Sequence, residues 1–322
     1  MFYSIFVISC VLVSCVVNMF CLEMIVRESP NSGNLITATQ FLFVASEGFI
    51  TVHHFGTASR SIPLKCYAIL VCLFFIVQVL NNYALAFNIS APLHMIFRSG
   101  SLIASLALNV ILMKRHYPWS RHISVWMVTI GVIVCTYASS PQSKVKDDEV
   151  SPSFITWTIG ITMLTASLFL SARMGLFQEE IYRKYGKHPM EALYYNHMLP
   201  LPFFALMYSD IMTQIDEFNR SEPMTVLEIT MPRLWWLLVL NTISQYFCIR
   251  SVFKLTAEFR SLTVTLVVTL RKFISLVVSI VYFANPFTNL HWLGTTLVFL
   301  GTFLYADIFS LPFRSQPKNK SE

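Results

Sequence analysis

Charged side chains are scarce: Asp, Glu, Lys and Arg make up 12% of the 322 residues, about half the roughly 25% of an ordinary soluble domain. A soluble fold could not cover the accompanying 55% of hydrophobic residues with so few polar groups, which excludes a globular aqueous protein. Acids are scarcer still inside the apolar runs, where Glu47 stands nearly alone. The carboxylate pair that much transfer chemistry needs is therefore missing there, and the acidic run Asp147-Asp148-Glu149 falls in a solvated loop. Metal-site spacing is absent too. Cys10, Cys15, Cys21, Cys66, Cys72, Cys135 and Cys248 lie in or at the ends of apolar segments without a CxxC-type or loop framework, and read as small hydrophobes. No metal and no cofactor are expected. The net charge of +6 does not make a nucleic-acid binder, because Lys and Arg sit between apolar runs rather than on one face.

What the chain has in abundance is long apolar stretches, and its mean hydropathy is +0.60. Hydrocarbon about 30 Å thick needs about 20 apolar residues in a helix. The runs predict ten spans: Phe2 to Leu22, Asn34 to Val52, Leu64 to Asn82, Pro92 to Met113, His122 to Ser139, Phe154 to Arg173, Glu191 to Ile211, Leu234 to Phe253, Ser261 to Phe283 and His291 to Ser310. The apolar N-terminus lacks a basic n-region and a small-residue cleavage site, so it is taken as the first span. An internal echo, Arg98-Ser-Gly-Ser-Leu-Ile before a span with Gly131 and Arg271-Lys-Phe-Ile-Ser-Leu before a span with Gly301, suggests duplication. The expected fold is an all-α polytopic membrane protein of about ten transmembrane helices. Residues 1–140 and 153–311 form two five-helix halves, inverted relative to each other because five is odd, and 312–322 form a tail.

Lys and Arg crowd one set of loops: Arg60 and Lys65; Lys114, Arg115 and Arg121; Arg183, Lys184 and Lys187; Lys254 and Arg260; Arg314, Lys318 and Lys320. The positive-inside rule then puts both termini in the cytosol. The sequons at Asn88 and Asn219 fall in loops assigned to the lumen. Lys318 and Lys320, five and three places from the end, fit either a dilysine retrieval signal read by a coat complex or a plain basic tail.

Charges at membrane depth are costly and mark cavities. Arg98, Arg271, Lys272 and Glu47 are such charges. His94, Arg98, Ser101, Ser105 and Asn109 share one helical stripe, and Ser261, Thr265, Thr269, Lys272, Ser275 and Ser279 share another. Small hydroxyl residues alone would mark helix packing; a central cation on the stripe points instead to an anionic ligand, phosphate foremost. Glu47, on one face with Gln40, either balances a chamber cation in the empty site or forms a structural ion pair. Tyr194, Tyr195 and Asn196 offer an aromatic face and an amide to a base, or belong to an interfacial aromatic belt.

The run Ser261-Leu-Thr-Val-Thr-Leu-Val-Val-Thr-Leu-Arg-Lys-Phe273, with Tyr194-Tyr195-Asn196-His197, Pro92-Leu-His-Met-Ile-Phe-Arg-Ser-Gly-Ser101, Asn81-Asn-Tyr-Ala-Leu85 and Ser171-Ala-Arg-Met-Gly175, resembles the nucleotide-sugar transporter family of the drug/metabolite transporter superfamily over nearly the whole chain. The resemblance implies an antiporter of the Golgi membrane, or of the endoplasmic reticulum. It would import UDP-sugars (UDP-N-acetylglucosamine, UDP-xylose or both) and export UMP by alternating access. By the same resemblance Tyr194, Tyr195 and Asn196 match the family's base-contacting Phe-Tyr-Asn type motif, with Tyr194 in place of Phe. Arg271 and Lys272 match its ninth-span motif near phosphate and sugar. The expected site is thus Lys272, Arg271, Arg98, His94, Tyr194, Tyr195, Asn196, Glu47, Gln40 and Thr269. The rival classes are a polytopic membrane-bound transferase and a carrier of another phosphorylated organic anion.

Overall fold

The structure, a computed structural model, describes residues 2–57, 59–87, 89–111, 114, 117–140, 154–186, 188–226, 228–259 and 261–305. The C-terminal tail with Lys318 and Lys320, the sequon at Asn88 and the acidic run at 147–149 lie outside the described residues. Twelve α-helices occur among those described: α1 (Phe2–Glu28), α2 (Gly33–Thr51), α3 (Leu64–Ala86), α4 (Ala91–Ser99), α5 (Ser101–Ile111), α6 (Trp119–Ala138), α7 (Phe154–Tyr185), α8 (Pro189–Met198), α9 (Tyr208–Asn219), α10 (Arg233–Glu258), α11 (Ser261–Phe283) and α12 (Asn289–Tyr305).

Six helical segments among the described residues are long and apolar enough to cross a membrane: Ile5–Glu28, Leu64–Ala86, Ala91–Ile111, Trp119–Ala138, Phe154–Tyr185 and Leu266–Phe283. The remaining expected spans fall short for physical reasons. α2 and α10 carry the polar residues Gln40, Glu47, Asn241, Gln245 and Arg250. The described part of α12 has 17 residues. The run Glu191 to Ile211, expected as one span, is α8 and α9 joined by a 3-10 stretch, Leu201–Met207, because Pro200 and Pro202 remove helical N–H donors.

The run Pro92 to Met113 is also divided. α4 ends at Ser99, the Gly100 N–H bonds the Phe97 carbonyl at 2.8 Å, and α5 begins at once. A Cβ on Gly100 would lie 2.9 Å from that carbonyl, so the tight break requires glycine. Another departure from an all-α chain is a hairpin before α10, β1 (Pro223–Val226) and β2 (Ile229–Pro232), antiparallel with Met224 opposite Met231.

Helix packing is most extensive between α6 and α12, α1 and α10, α3 and α7, and α2 and α8, with α1 also against α11 and α5 against α7. Buried apolar residues gather in four clusters rather than one core. One holds Val128, Val132, Leu276 and Val298; others form around Tyr67 and Tyr195, around Val11 and Val267, and around Ile25 and Phe218. In hydrocarbon, close backbone approach and dispersion replace the hydrophobic drive. The α6–α12 seam shows this, since a Cβ on Gly131 would lie 2.5 Å from the Gly294 carbonyl oxygen and one on Gly301 would lie 2.8 Å from the Ser124 carbonyl oxygen.

Gly131→Val should therefore lower the unfolding temperature of the solubilised protein by several degrees, overpacking of this kind costing about 1–3 kcal/mol. An unchanged unfolding temperature would show that the seam is not held by close approach.

Candidate functional site

The break at Gly100 sets Arg98 and Ser101 on the wall of a cavity of about 520 Å³. Arg271 and Lys272 enter it from the middle of α11, Asn18 from α1, Asn81 from α3 and Gln245 from α10. A second cavity of about 290 Å³ adjoins it, and Arg98, Gln245, Ile249 and Phe253 line both. Its wall is rich in amides, Gln40, Gln78, Gln178, Asn196 and Gln245, with His197. Each volume is of the order of small-molecule sites, about 300–1,000 Å³. Arg98 lies within a segment fit to span the membrane and is nonetheless exposed, because its side chain opens onto the two chambers.

Among the described residues, no acid compensates the cations of the first chamber. Arg98 and Lys272 have no ion-pair or hydrogen-bond partner among the described residues. Among the described residues Arg271 Nη1 donates to sulfur alone, at 3.1 Å to Cys15 and 3.3 Å to Cys248. Three cations so placed have the charge to hold a multiply charged anion, and guanidinium forks suit paired phosphate oxygens. In the second chamber the Asn196 Oδ1 is buried without a hydrogen-bond partner. A buried acceptor left so is costly, and a ligand donor would relieve it.

Of the other expected site residues, Gln40 lines the amide chamber and the rest sit elsewhere. Tyr194 and Tyr195 are buried away from both chambers. Tyr195 stacks on Tyr67 with centroids 4.6 Å apart and its hydroxyl pairs with His53 Nε2 at 2.7 Å; Tyr194 packs on His53 and against Gly48. Of that motif only Asn196 reaches the cavity. Glu47 does not balance a chamber cation: its Oε1 lies 2.7 Å from Arg250 Nη1, and Arg250 also bonds the Tyr246 hydroxyl, tying α2 to α10. Gln40 donates to Asn241 Oδ1 at 2.6 Å while lining the amide chamber. Thr269 is buried and His94 is buried with Nε2 unpaired, and neither lines a chamber.

Three features escaped the sequence reading. Asn241 and Gln245, four residues apart on α10, form a polar stripe that the same periodicity argument would have found. Arg250, inside the eighth apolar run, is a membrane-depth cation to which the same cost of burying charge applies. Cys15 and Cys248, read as small hydrophobes, form a disulfide between α1 and α10, which no local pattern could reveal across a separation of 233 residues.

A bundle of membrane-spanning helices around a charged, amide-lined cavity defines a polytopic carrier. The UAA transporter family model matches residues 3–309, and the chain belongs to that family. A zebrafish (Danio rerio) protein named UDP-xylose and UDP-N-acetylglucosamine transporter is 50% identical, the match covering 95% of each chain. A human protein named nucleotide sugar transporter SLC35B4 is 47% identical over 97% of each. A Drosophila melanogaster protein named endoplasmic reticulum GDP-fucose transporter is 48% identical over 93% of this chain and 89% of its own. A solved crystal structure shares the fold with a TM-score of 0.57 at 13% identity, covering 97% of this chain and 99% of that one.

Replacing a cation that has no partner should relieve strain in the empty protein. Lys272→Met is expected to raise the unfolding temperature without ligand and to remove the further rise that UDP gives the wild type, read by thermal unfolding in detergent. A lower unfolding temperature with the UDP response intact would place Lys272 outside the site.

Proposed function

We propose that the chain is a nucleotide-sugar antiporter of an internal membrane, which carries UDP-sugars, UDP-N-acetylglucosamine or UDP-xylose or both, from the cytosol to the lumen of the Golgi or endoplasmic reticulum and returns UMP. The observation that carries the proposal is the cation set Arg98, Arg271 and Lys272, without an acid partner among the described residues and opening through Arg98 into the amide chamber. The phosphates of the cargo lie on the cations, and its uracil and ribose lie among Gln40, Gln245 and Asn196, where the unpaired Asn196 Oδ1 accepts an N–H.

The cargo changes sides by alternating access between two inverted five-helix halves, 1–140 and 153–311, with the termini cytosolic. Helix packing supports this division. With α4 and α5 counted as one span, and likewise α8 and α9, a shift of five spans carries the α1–α10 pair onto α7–α3 and the α1–α11 pair onto α7–α5. It carries α2–α8 and α6–α12 onto themselves, so the main packing partners in the molecule obey one two-fold rule. The loop distribution of Lys and Arg supports the orientation, and the dilysine pair Lys318 and Lys320, read by a coat complex, supports an early secretory address.

Exchange follows from the same charges. A reorienting empty site would carry three unbalanced cations through hydrocarbon, each costing about 2.5–3.5 kcal/mol or more; a site holding UMP or a UDP-sugar carries its counter-charge with it. The name of the Drosophila relative gives a second cargo, GDP-fucose, with the same diphosphate and a different base.

In proteoliposomes, preloaded UMP should speed UDP-N-acetylglucosamine uptake by roughly tenfold or more over empty vesicles, with the cargo recovered chemically intact. Uptake as fast into empty vesicles would argue against obligatory exchange, and GDP-fucose competing better than UDP-xylose would move the base preference to guanine.

A further inference from the structure

Cys15 and Cys248 stand in the wall of the cationic chamber, bonded to each other and both within reach of Arg271. They are the paired cysteines among the described residues; Cys10, Cys21, Cys66, Cys72 and Cys135 are free. The bond is not the sole link between α1 and α10. Asn18 Nδ2 donates to the Asn241 carbonyl at 3.0 Å, and Asn241 Nδ2 returns the bond to the Asn18 carbonyl at 2.9 Å. Val7, Val11 and Leu255 pack in one cluster beside the sulfurs. With the disulfide opened, those contacts keep both sulfurs beside the guanidinium.

We propose that Cys15 and Cys248 are a thiol–disulfide modification site inside the chamber, and that Arg271 couples its state to cargo binding. The coupling rests on the chamber being the cargo site. In the disulfide both sulfurs are neutral and only weak acceptors, so the charge of Arg271 is available to a phosphate. A low-molecular-weight thiol opens the bond in two exchange steps. The thiolate of the first molecule attacks one cysteine sulfur, forms a mixed disulfide and releases the other cysteine as thiolate. The thiolate of the second attacks the mixed disulfide at the small-molecule sulfur, releases the oxidised dimer of the small thiol and frees the remaining cysteine. The two protons shed by the attacking thiols end on the two cysteines, so one disulfide and two thiols become two cysteine thiols and one small disulfide.

A cysteine that ionises again there has its counter-ion at hand, since thiolates persist beside guanidinium groups. Thiolate and phosphate then compete for Arg271, and the reduced carrier binds its cargo more weakly. An aqueous chamber that opens to a reducing cytosol on one side and an oxidising lumen on the other brings the pair into contact with both conditions.

Peptide mapping of purified protein without reductant should recover a Cys15–Cys248 linked peptide. After reduction both residues should be alkylated by iodoacetamide, at a rate that falls several-fold in Arg271→Gln and in wild type saturated with UMP, the second comparison standing alone if the variant does not fold. In proteoliposomes the KM for UDP-N-acetylglucosamine exchange should be several-fold higher in the reduced wild type than in the oxidised, while Cys15→Ser/Cys248→Ser gives one KM with or without reductant. Absence of the linked peptide, alkylation rates indifferent to Arg271 and to UMP, or a wild-type KM indifferent to reductant would each overturn the proposal. If neither redox form exchanges any nucleotide sugar, the cargo reading fails by itself, and the linked peptide with the Arg271→Gln alkylation rate still decides the modification site.

Discussion

Positive charge without a partner is expensive inside a membrane, and keeping it there requires that nearby acids be occupied elsewhere. The fold does this repeatedly. Glu47 is held by Arg250. Glu23 is held by Asn285 and Arg27, and Glu191 accepts from the backbone N–H groups of Ser61 and Ile62 and from the Tyr67 hydroxyl. Asp210 is held by Asn34. Each of these carboxylates closes a contact between helices or loops at a distance in sequence, and none of them lines the chamber where Arg98, Arg271 and Lys272 stand. The acids act as fasteners, and the chamber cations are left without an acid partner among the described residues.

The break at Gly100 and the Pro200–Pro202 interruption serve the same end. Irregular backbone is tolerated at membrane depth only where it is buried in protein or lines a cavity, and here the first interruption places Arg98 at the junction of the two chambers. The second follows α8, whose Asn196 and His197 line the amide chamber. Away from the chambers the helices close through small residues, as at Gly131 and Gly294. The molecule thus combines rigid seams with a polar centre whose own hydrogen-bonding capacity is only partly used.

Much of this was legible in the chain. The apolar runs located the helices, the cost of burying charge singled out Arg98, Arg271 and Lys272, and spacing put Lys272 on a polar face of α11. What was not legible depended on long-range contact. The partner of Glu47 lies 203 residues away and that of Cys15 lies 233 residues away. The orientation of Tyr194 and Tyr195 is set by His53 and Tyr67, from the α2–α3 loop and α3, and a helical position near a span end does not encode it. The hairpin Pro223–Pro232 was hidden because its exposed residues carry no alternation toward a core. Hydropathy averages over one glycine or two prolines, so the two interrupted spans look continuous in the sequence.

The most direct test of charge compensation is a binding series on the purified protein at fixed ionic strength: uridine, UMP and UDP by titration calorimetry. If the chamber cations hold the phosphates, affinity should climb at each added phosphate and the increments should shrink together when Lys272 is replaced by Met. Uridine binding as tightly as UDP would contradict it, because the cations would then contribute nothing to the cargo they are proposed to hold.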